Sequence, residues 1–394
     1  MRRYSEAAIF WLTAASAAAS LVSIAAMEIL LAAAGLLWLY TRSAFKWPPY
    51  AAPLLAFMAT TLISLANSSN PSVGWHPIQK FVLFFMGLLA VAFVTSESRA
   101  RSAYKLLIAT ATVAGAMAII QFISRQIAYG SGGPLENDPT LLNRITGPLG
   151  HWMTFSGVEL LVWCAAVPAL IVLGRRWIPS VAIIGTAIVL SNTRGAWLGA
   201  AAGFAFVALA LPRRVLAAVL IPMIAVTLAA SPFIYRRVSM SLDKSLATNY
   251  SRAIYRDVGI KMIKARPLFG VGPERIDDDF PRYYPDKPLD QFYTGHLHNN
   301  FLQIAAERGL LCLAAFLWFF VELYRSLLKR LKNTEDDSRW ATLGALAALT
   351  GFVIAGLNEY NFGDSEVLVL FLFIVSIPFG LSSHVQEDPH SQQG

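Results

Sequence analysis

Hydrophobic residues in this chain run in long blocks broken by short polar junctions. The blocks show neither the two-residue alternation of a half-buried strand nor the narrow stripe of a soluble amphipathic helix. Blocks of roughly 15 to 20 residues that are apolar all round predict helices immersed in lipid. The first, residues 8–40, is longer than one helix needs and has a small, polar-flecked middle around Ser20 and Ser23, which predicts two helices joined by a tight turn. Further blocks lie at 50–66, 79–95, 103–123, 153–173, 178–192, 195–211, 214–232, 306–325, 340–357 and 366–383, giving twelve expected spans. The opening MRRYSE and its Ala-rich continuation also resemble a signal peptide, but a second apolar block follows at once, so an uncleaved first span is expected.

The junctions between blocks alternate in charge. If the N-terminus is cytoplasmic, the inner junctions hold Arg2 and Arg3, Arg42 and Lys46, Arg99, Arg101 and Lys105, Arg175 and Arg176, Arg213 and Arg214, then Arg325, Lys329, Arg330, Lys332 and Arg339. The outer junctions 67–77 and 358–365 have no Lys or Arg, 126–150 has Arg144 alone, and SNTRG has Arg194 alone. Short inner loops are enriched in Lys and Arg, so this pattern predicts both termini inside. Residues 232–297 form one large outer excursion with eleven basic and eight acidic residues, which crosses regardless of its charge. Its stretch 249–265 has helical spacing with Ile254, Val258 and Met262 on one face. ARPLFGVGPERI then predicts a turn, since Pro267, Gly270, Gly272 and Pro273 do not suit one regular element. The expected organisation is nine spans in 1–231, the outer loop at 232–297, three spans in 298–383, and a disordered inner tail at 384–394.

Composition agrees with an all-α integral membrane protein: 56% of the 394 residues are hydrophobic, 14% are charged, and the mean hydropathy is +0.53. Cys164 and Cys312 both lie in apolar blocks, which excludes a disulfide framework. The net charge of +8 follows topology, with no basic stripe or motif for nucleic acid.

Candidate chemistry concentrates where the large loop returns to an apolar block, HLHNNFLQIAAERGLLC at 296–312. On one continuous helix, His298 and Gly309 would fall on nearly the same face, and Asn299, Gln303 and Glu307 would draw a polar stripe beside it. A polar stripe at a membrane helix mouth is costly unless it faces water, protein or substrate. It is either a solvated helix cap or the setting of a catalytic imidazole. Arg194 opens a span on the same outer side. A cation at a helix start opposes the helix dipole, so it either recruits an anion or snorkels to the interface. Arg252 and Arg256, at i and i+4, form a second cationic wall or a solvated pair, and Arg266, Arg275 and Lys80 are further cationic candidates. Arginine's planar fork suits phosphate. Asp277, Asp278 and Asp279 suit a divalent metal or a solvated loop. His76 and His151 lie on the outer side, His296 reads as a loop residue, and Glu28, Glu159, Glu307 and Glu359 are acids in or near the membrane with no step assigned.

SNTRGAWLG, the run from Arg252 through MIKARPLFGVGPERI, and HNNFLQIAAERGLL together resemble the O-antigen ligase and O-antigen polymerase family of bacterial membrane proteins. The resemblance covers most of the length. The family's histidine pattern is met by His298, Asn299 and Gly309, whereas Cys312 stands where it has Gly, Thr or Tyr. The resemblance implies a GT-C-like multispan transferase of the bacterial inner membrane, with the large loop periplasmic and with no cofactor or metal. Its substrates would be an undecaprenyl-diphosphate-linked glycan and a lipid A-core acceptor. His298 is then the expected base, since imidazole has a pKa of about 6.5 in isolation. Arg194, Arg252, Arg256, Arg266 and Arg275 would bind the diphosphate, supported by Asn299, Gln303, Gly309 and Lys80. The alternatives are an O-antigen polymerase or a protein O-oligosaccharyltransferase of the same family, or a transporter of lipid-linked glycans.

Overall fold

The computed structural model describes residues 2–43, 46–130, 144–231, 234–235, 238–239, 247–285, 295–333 and 338–381, and every regular element among them is helical. The apolar blocks become α1 (Arg2–Ala19), α2 (Ile24–Thr41), α3 (Ala51–Ala66), α4 (Val73–Phe93, opening in 3-10 turns), α5 (Glu97–Gly130), α6 (Trp152–Leu173), α7 (Ile178–Leu190), α8 (Arg194–Ala208) and α9 (Arg213–Ala229). Two polar helices follow, α10 (Ala247–Ala265) and α11 (Ile276–Tyr283), and the chain closes with α12 (Asn300–Asn333), α13 (Arg339–Ala355) and α14 (Ser365–Gly380). The first expected block falls on α1 and α2, and each later one, as far as the described residues reach, on one helix. Among the described residues, five helices are long and apolar enough to cross a membrane: α2, α4, α5, α6 and α12; α3, α13 and α14 are shorter apolar helices. The expected tail at 384–394 and parts of the expected outer loop, 240–246 and 286–294, lie outside the described residues.

The bundle is built for an apolar solvent. α14 is buried along almost its whole length, as is α6, and α13 packs beside both. The outer helices turn large apolar side chains outward: Leu36 is 67% exposed, Ile127 71%, Ile221 69% and Val321 62%. In water such faces would be costly; against lipid tails they cost nothing. Small residues set the tightest crossing. Gly199 and Gly203 of α8 lie against the carbonyls of Gly351 and Ala347 in α13, so a Cβ at either glycine would come within 2.6 and 2.5 Å of them. This close approach is the small-residue packing favoured in membranes. It brings the start of α8, with Arg194, beside the turn that follows α13.

One expectation about α12 does not hold. The spacing of His298 and Gly309 assumed a single continuous helix, but α12 begins only at Asn300 and breaks at Gly309, whose φ is 81° and ψ 174°. The cause lies in the turn after α10. Val271 N–H donates to Ala306 O (3.0 Å) and Gly272 N–H to Glu307 O (2.8 Å), taking two carbonyls from the helix ladder, and Leu310 N–H donates to Pro267 O (2.7 Å). A Cβ on Gly309 would sit 2.1 Å from Leu268 O, so the site requires glycine twice, for its positive φ and for the contact. The ARPLFGVG segment is a turn, as expected, and it is pinned across the break, with Ser64 of α3 donating to Phe269 O at 2.6 Å.

Candidate active site

The residues of interest meet at one end of the bundle, where α3, α5, α7 and α13 end and α4, α6, α8, α12 and α14 begin. The turn between α13 and α14 is stitched to the start of α12. Asn300 N–H donates to Gly356 O at 2.8 Å, and its amide donates to Asn361 Oδ1 at 2.6 Å and accepts from Phe362 N–H at 3.1 Å. Asn299 caps α12 by accepting from the N–H groups of Phe301 and Leu302, each at 2.9 Å, while its amide donates to Leu357 O. Clamped between these asparagines and the loop before them, His298 adopts φ 51°, a left-handed conformation that costs energy for a residue with a Cβ. Such strain persists where surrounding bonds over-determine the backbone, and it clusters at functional sites.

That backbone aims the imidazole at Glu359. His298 Nδ1 lies 3.0 Å from Glu359 Oε2, and the ring is stacked on Tyr255 of α10, 5.6 Å between centroids. His296 stands 4.3 Å away, ring to ring, with Nε2 at 3.5 Å from Glu359 Oε1. Its tautomer follows from its neighbours: His298 N–H donates to His296 Nδ1, so the ring proton of neutral His296 is on Nε2, facing the carboxylate. Burial pushes the His296 imidazole down to about 4, with Glu359 opposing and His298, His151 and Arg252 adding to the fall. Burial lowers His151 too. Burial alone would raise the Glu359 carboxyl, but the His298 hydrogen bond and the two imidazoles outweigh it and bring it below the usual carboxylate range. An ionised Glu359 holding Nδ1–H leaves Nε2 of His298 as the nitrogen with the lone pair.

Glu359 also lines a cleft with Arg144, Arg194 and Arg252, at the junction of α6, α8 and α13. Arg194 donates to Asn249 Oδ1 at 3.1 Å. Arg144 is buried and lies over the Trp152 ring at 5.0 Å. Burial pulls the Arg252 guanidinium below its ordinary value, against the pull of Glu359 and Tyr255. Three guanidinium groups against one carboxylate leave the cleft strongly cationic, which suits an anion.

A second cavity, of about 220 Å³, opens on the other side of His296. Lys80, Glu274, Glu307, Arg308 and Asp364 bring charge to it, and Phe57, Phe81, Phe84 and Phe362 form apolar wall. Gln303 and Glu307, the expected polar stripe, are linked at 2.9 Å but buried, and Gln303 also accepts Leu297 N–H at 2.7 Å. Arg308 lies 3.8 Å from Glu307 and 5.3 Å over Phe57. Lys80 donates to Gly363 O at 3.0 Å.

Of the residues singled out in the sequence, His298, Arg194, Arg252, Asn299, Gln303 and Lys80 therefore share this end of the bundle. Arg256 is exposed on α10, and Arg256, Arg266 and Arg275 line neither cavity. Arg275 is paired with Asp278 at 2.5 Å and Asp279 at 3.4 Å, so part of the aspartate run is matched by the residue that precedes its helix. Among the described residues, the group whose donor atoms could hold a metal is His296, His298 and Glu359, all within 4.8 Å of one another. His76 is paired with Glu274 at 2.7 Å. Glu359, Arg144, Tyr255 and Asp364 were given no role from sequence. Arg144 carried a usable signal, because it is the lone Lys or Arg of its junction, just as Arg194 is.

No curated protein matches the chain. Residues 179–317 match the family model described as O-antigen ligase, and this stretch runs from α7 past the Gly309 break, so it takes in Arg194, Arg252 and His298. Over that stretch the chain is similar to the O-antigen ligase family, and an all-helical fold with several helices apolar enough to cross a membrane agrees with the likeness.

Proposed function

We propose that the chain is an O-antigen ligase of the bacterial inner membrane. It transfers a finished glycan from undecaprenyl diphosphate to the lipid A-core oligosaccharide at the periplasmic face, across twelve spans with both termini cytoplasmic. The observation that carries this reading is the meeting of the Glu359–His298 pair with a cleft lined by three arginines.

The chemistry needs a base and an anion hold, and these residues supply both. His298 Nε2 takes the proton from an acceptor hydroxyl while Glu359 orients the ring and stabilises the imidazolium that forms. The deprotonating oxygen forms its bond to the anomeric carbon as the bond from that carbon to the diphosphate oxygen breaks on the opposite face, which inverts the configuration. The leaving diphosphate gains negative charge, and Arg194, Arg252 and Arg144 hold that charge more strongly than they hold the intact donor. Arg256, Arg266 and Arg275 serve the approach of the donor rather than its reacting group.

Purified chain given lipid-linked glycan and lipid A-core tests the reading. It predicts glycan on the core, release of undecaprenyl diphosphate, and activity that survives EDTA. Movement of uncleaved donor across a bilayer with no product would instead support a transporter.

A further inference from the structure

Two cavities flank the Glu359–His298 pair, and their charge differs in kind. The arginine cleft carries three cations against one carboxylate. The 220 Å³ cavity carries Lys80 and Arg308 against Glu274, Glu307 and Asp364, the last raised by burial to about 7, so its cations are matched by acids and lack the excess that the arginine cleft offers an anion. Its polar groups are built in: Glu307 is 3% exposed and Arg308 5%, and Arg308 Nε, although near Glu307, makes no hydrogen bond. Around them stand Phe57, Phe81, Phe84 and Phe362.

Buried hydrogen-bonding groups of both signs beside aromatic walls are what a polyhydroxylated ring needs, since its hydroxyls donate and accept while its C–H face packs on apolar rings. The volume is that of about one such ring. His296 lines this cavity and stands 3.5 Å from Glu359, which lines the other, and 4.3 Å ring to ring from His298, so the cavity abuts the Glu359–His298 pair.

We infer that the cavity bounded by Lys80, Asp364, Glu307 and Arg308 binds the acceptor as a single uncharged sugar ring, and that it rejects acceptor rings bearing phosphate or carboxylate. This rests on the transferase reading above and adds the acceptor's class and place. Lys80, fixed on Gly363 O, and Asp364, held by Thr154 Oγ1 at 3.2 Å, line the cavity and select the ring.

The test uses the full chain in detergent, a polyprenyl-diphosphate-linked disaccharide as donor, and two alkyl glycosides as acceptors, one ending in a neutral hexose and one in the same hexose 6-phosphate. The neutral acceptor is expected to have at least a tenfold higher kcat/KM. Lys80→Met and Asp364→Asn are each expected to raise the KM for the neutral acceptor about tenfold while the donor KM stays put. Equal use of the phosphorylated acceptor, or a rise in donor KM in either variant, would overturn the assignment. The acceptor comparison needs no variant, so it stands even if one of them fails to fold. Absence of transfer to any acceptor would instead sink the transferase reading itself.

Discussion

Glu359 Oε2 and His298 Nδ1 lie 3.0 Å apart although 61 residues separate them in the chain. The contact fixes which ring nitrogen is available for proton transfer, because a carboxylate opposite Nδ1 keeps the proton there. Glu359→Gln retains the shape but removes the charge that holds the tautomer and stabilises the imidazolium. A fall in kcat of about a hundredfold or more is expected, with donor KM little changed, measured by single-turnover transfer. A variant with normal kcat would separate Glu359 from the chemistry.

The arginines predict a graded response. Arg252→Ala should lower kcat/KM by about a hundredfold, the scale of losing one group that stabilises developing charge. Arg252→Lys should recover part of this, since lysine keeps the charge and loses the fork. Arg256→Ala, on the exposed face of α10, should change kcat by less than about threefold at moderate ionic strength, where exposed charges are screened. Steady-state kinetics on the three variants orders them, and equal losses at 252 and 256 would count against the cleft.

Acid should loosen this end of the bundle. His296 is held down to about 4 in the folded chain, from 6.5. Between those values the unfolded chain binds the extra proton and the folded chain does not, so stability rises with pH across this window and is lost as pH falls through it. Glu359, also lowered, adds loss in the same direction at the acid end. Melting temperature in detergent should therefore drop from pH 7 to pH 4, and His296→Gln should drop less. A steeper drop in the variant would contradict the assignment.

Gly309 is predicted to tolerate nothing larger. Gly309→Ala places a Cβ against Leu268 O and forces a positive φ, at a cost of about 3 kcal/mol or more from strain and displaced hydrogen bonds. Yield and melting temperature of the purified variant should both fall, and an unchanged melting temperature would show that the break can relax.

Much of the bundle was legible because lipid leaves a chain few options: a helix in lipid must satisfy its own backbone and be apolar all round, so the apolar helices stood out as blocks, five of them, among the described residues, long and apolar enough to cross a membrane. The break in α12 was not legible, since a glycine in an apolar helix costs only about 1 kcal/mol and what bends the chain there is a set of hydrogen bonds from the turn after α10. His298 could be singled out from its local pattern and resemblance. Glu359 could be named only as an acid without a step, because its meaning is a contact across two helices. Asp364 shows the same limit: a lone acid before α14 by sequence, it is half-buried near Glu359 and Glu366, and its carboxyl is raised to about 7 by desolvation first and by those charges second.

The most direct test of the account is glycan transfer by His298→Ala measured beside donor binding in the same preparation. Transfer should fall by at least a hundredfold, with donor affinity within about threefold of the unmodified chain, since the base acts in the transition state and the arginines hold the diphosphate. Transfer at the unmodified rate with intact donor binding would contradict it.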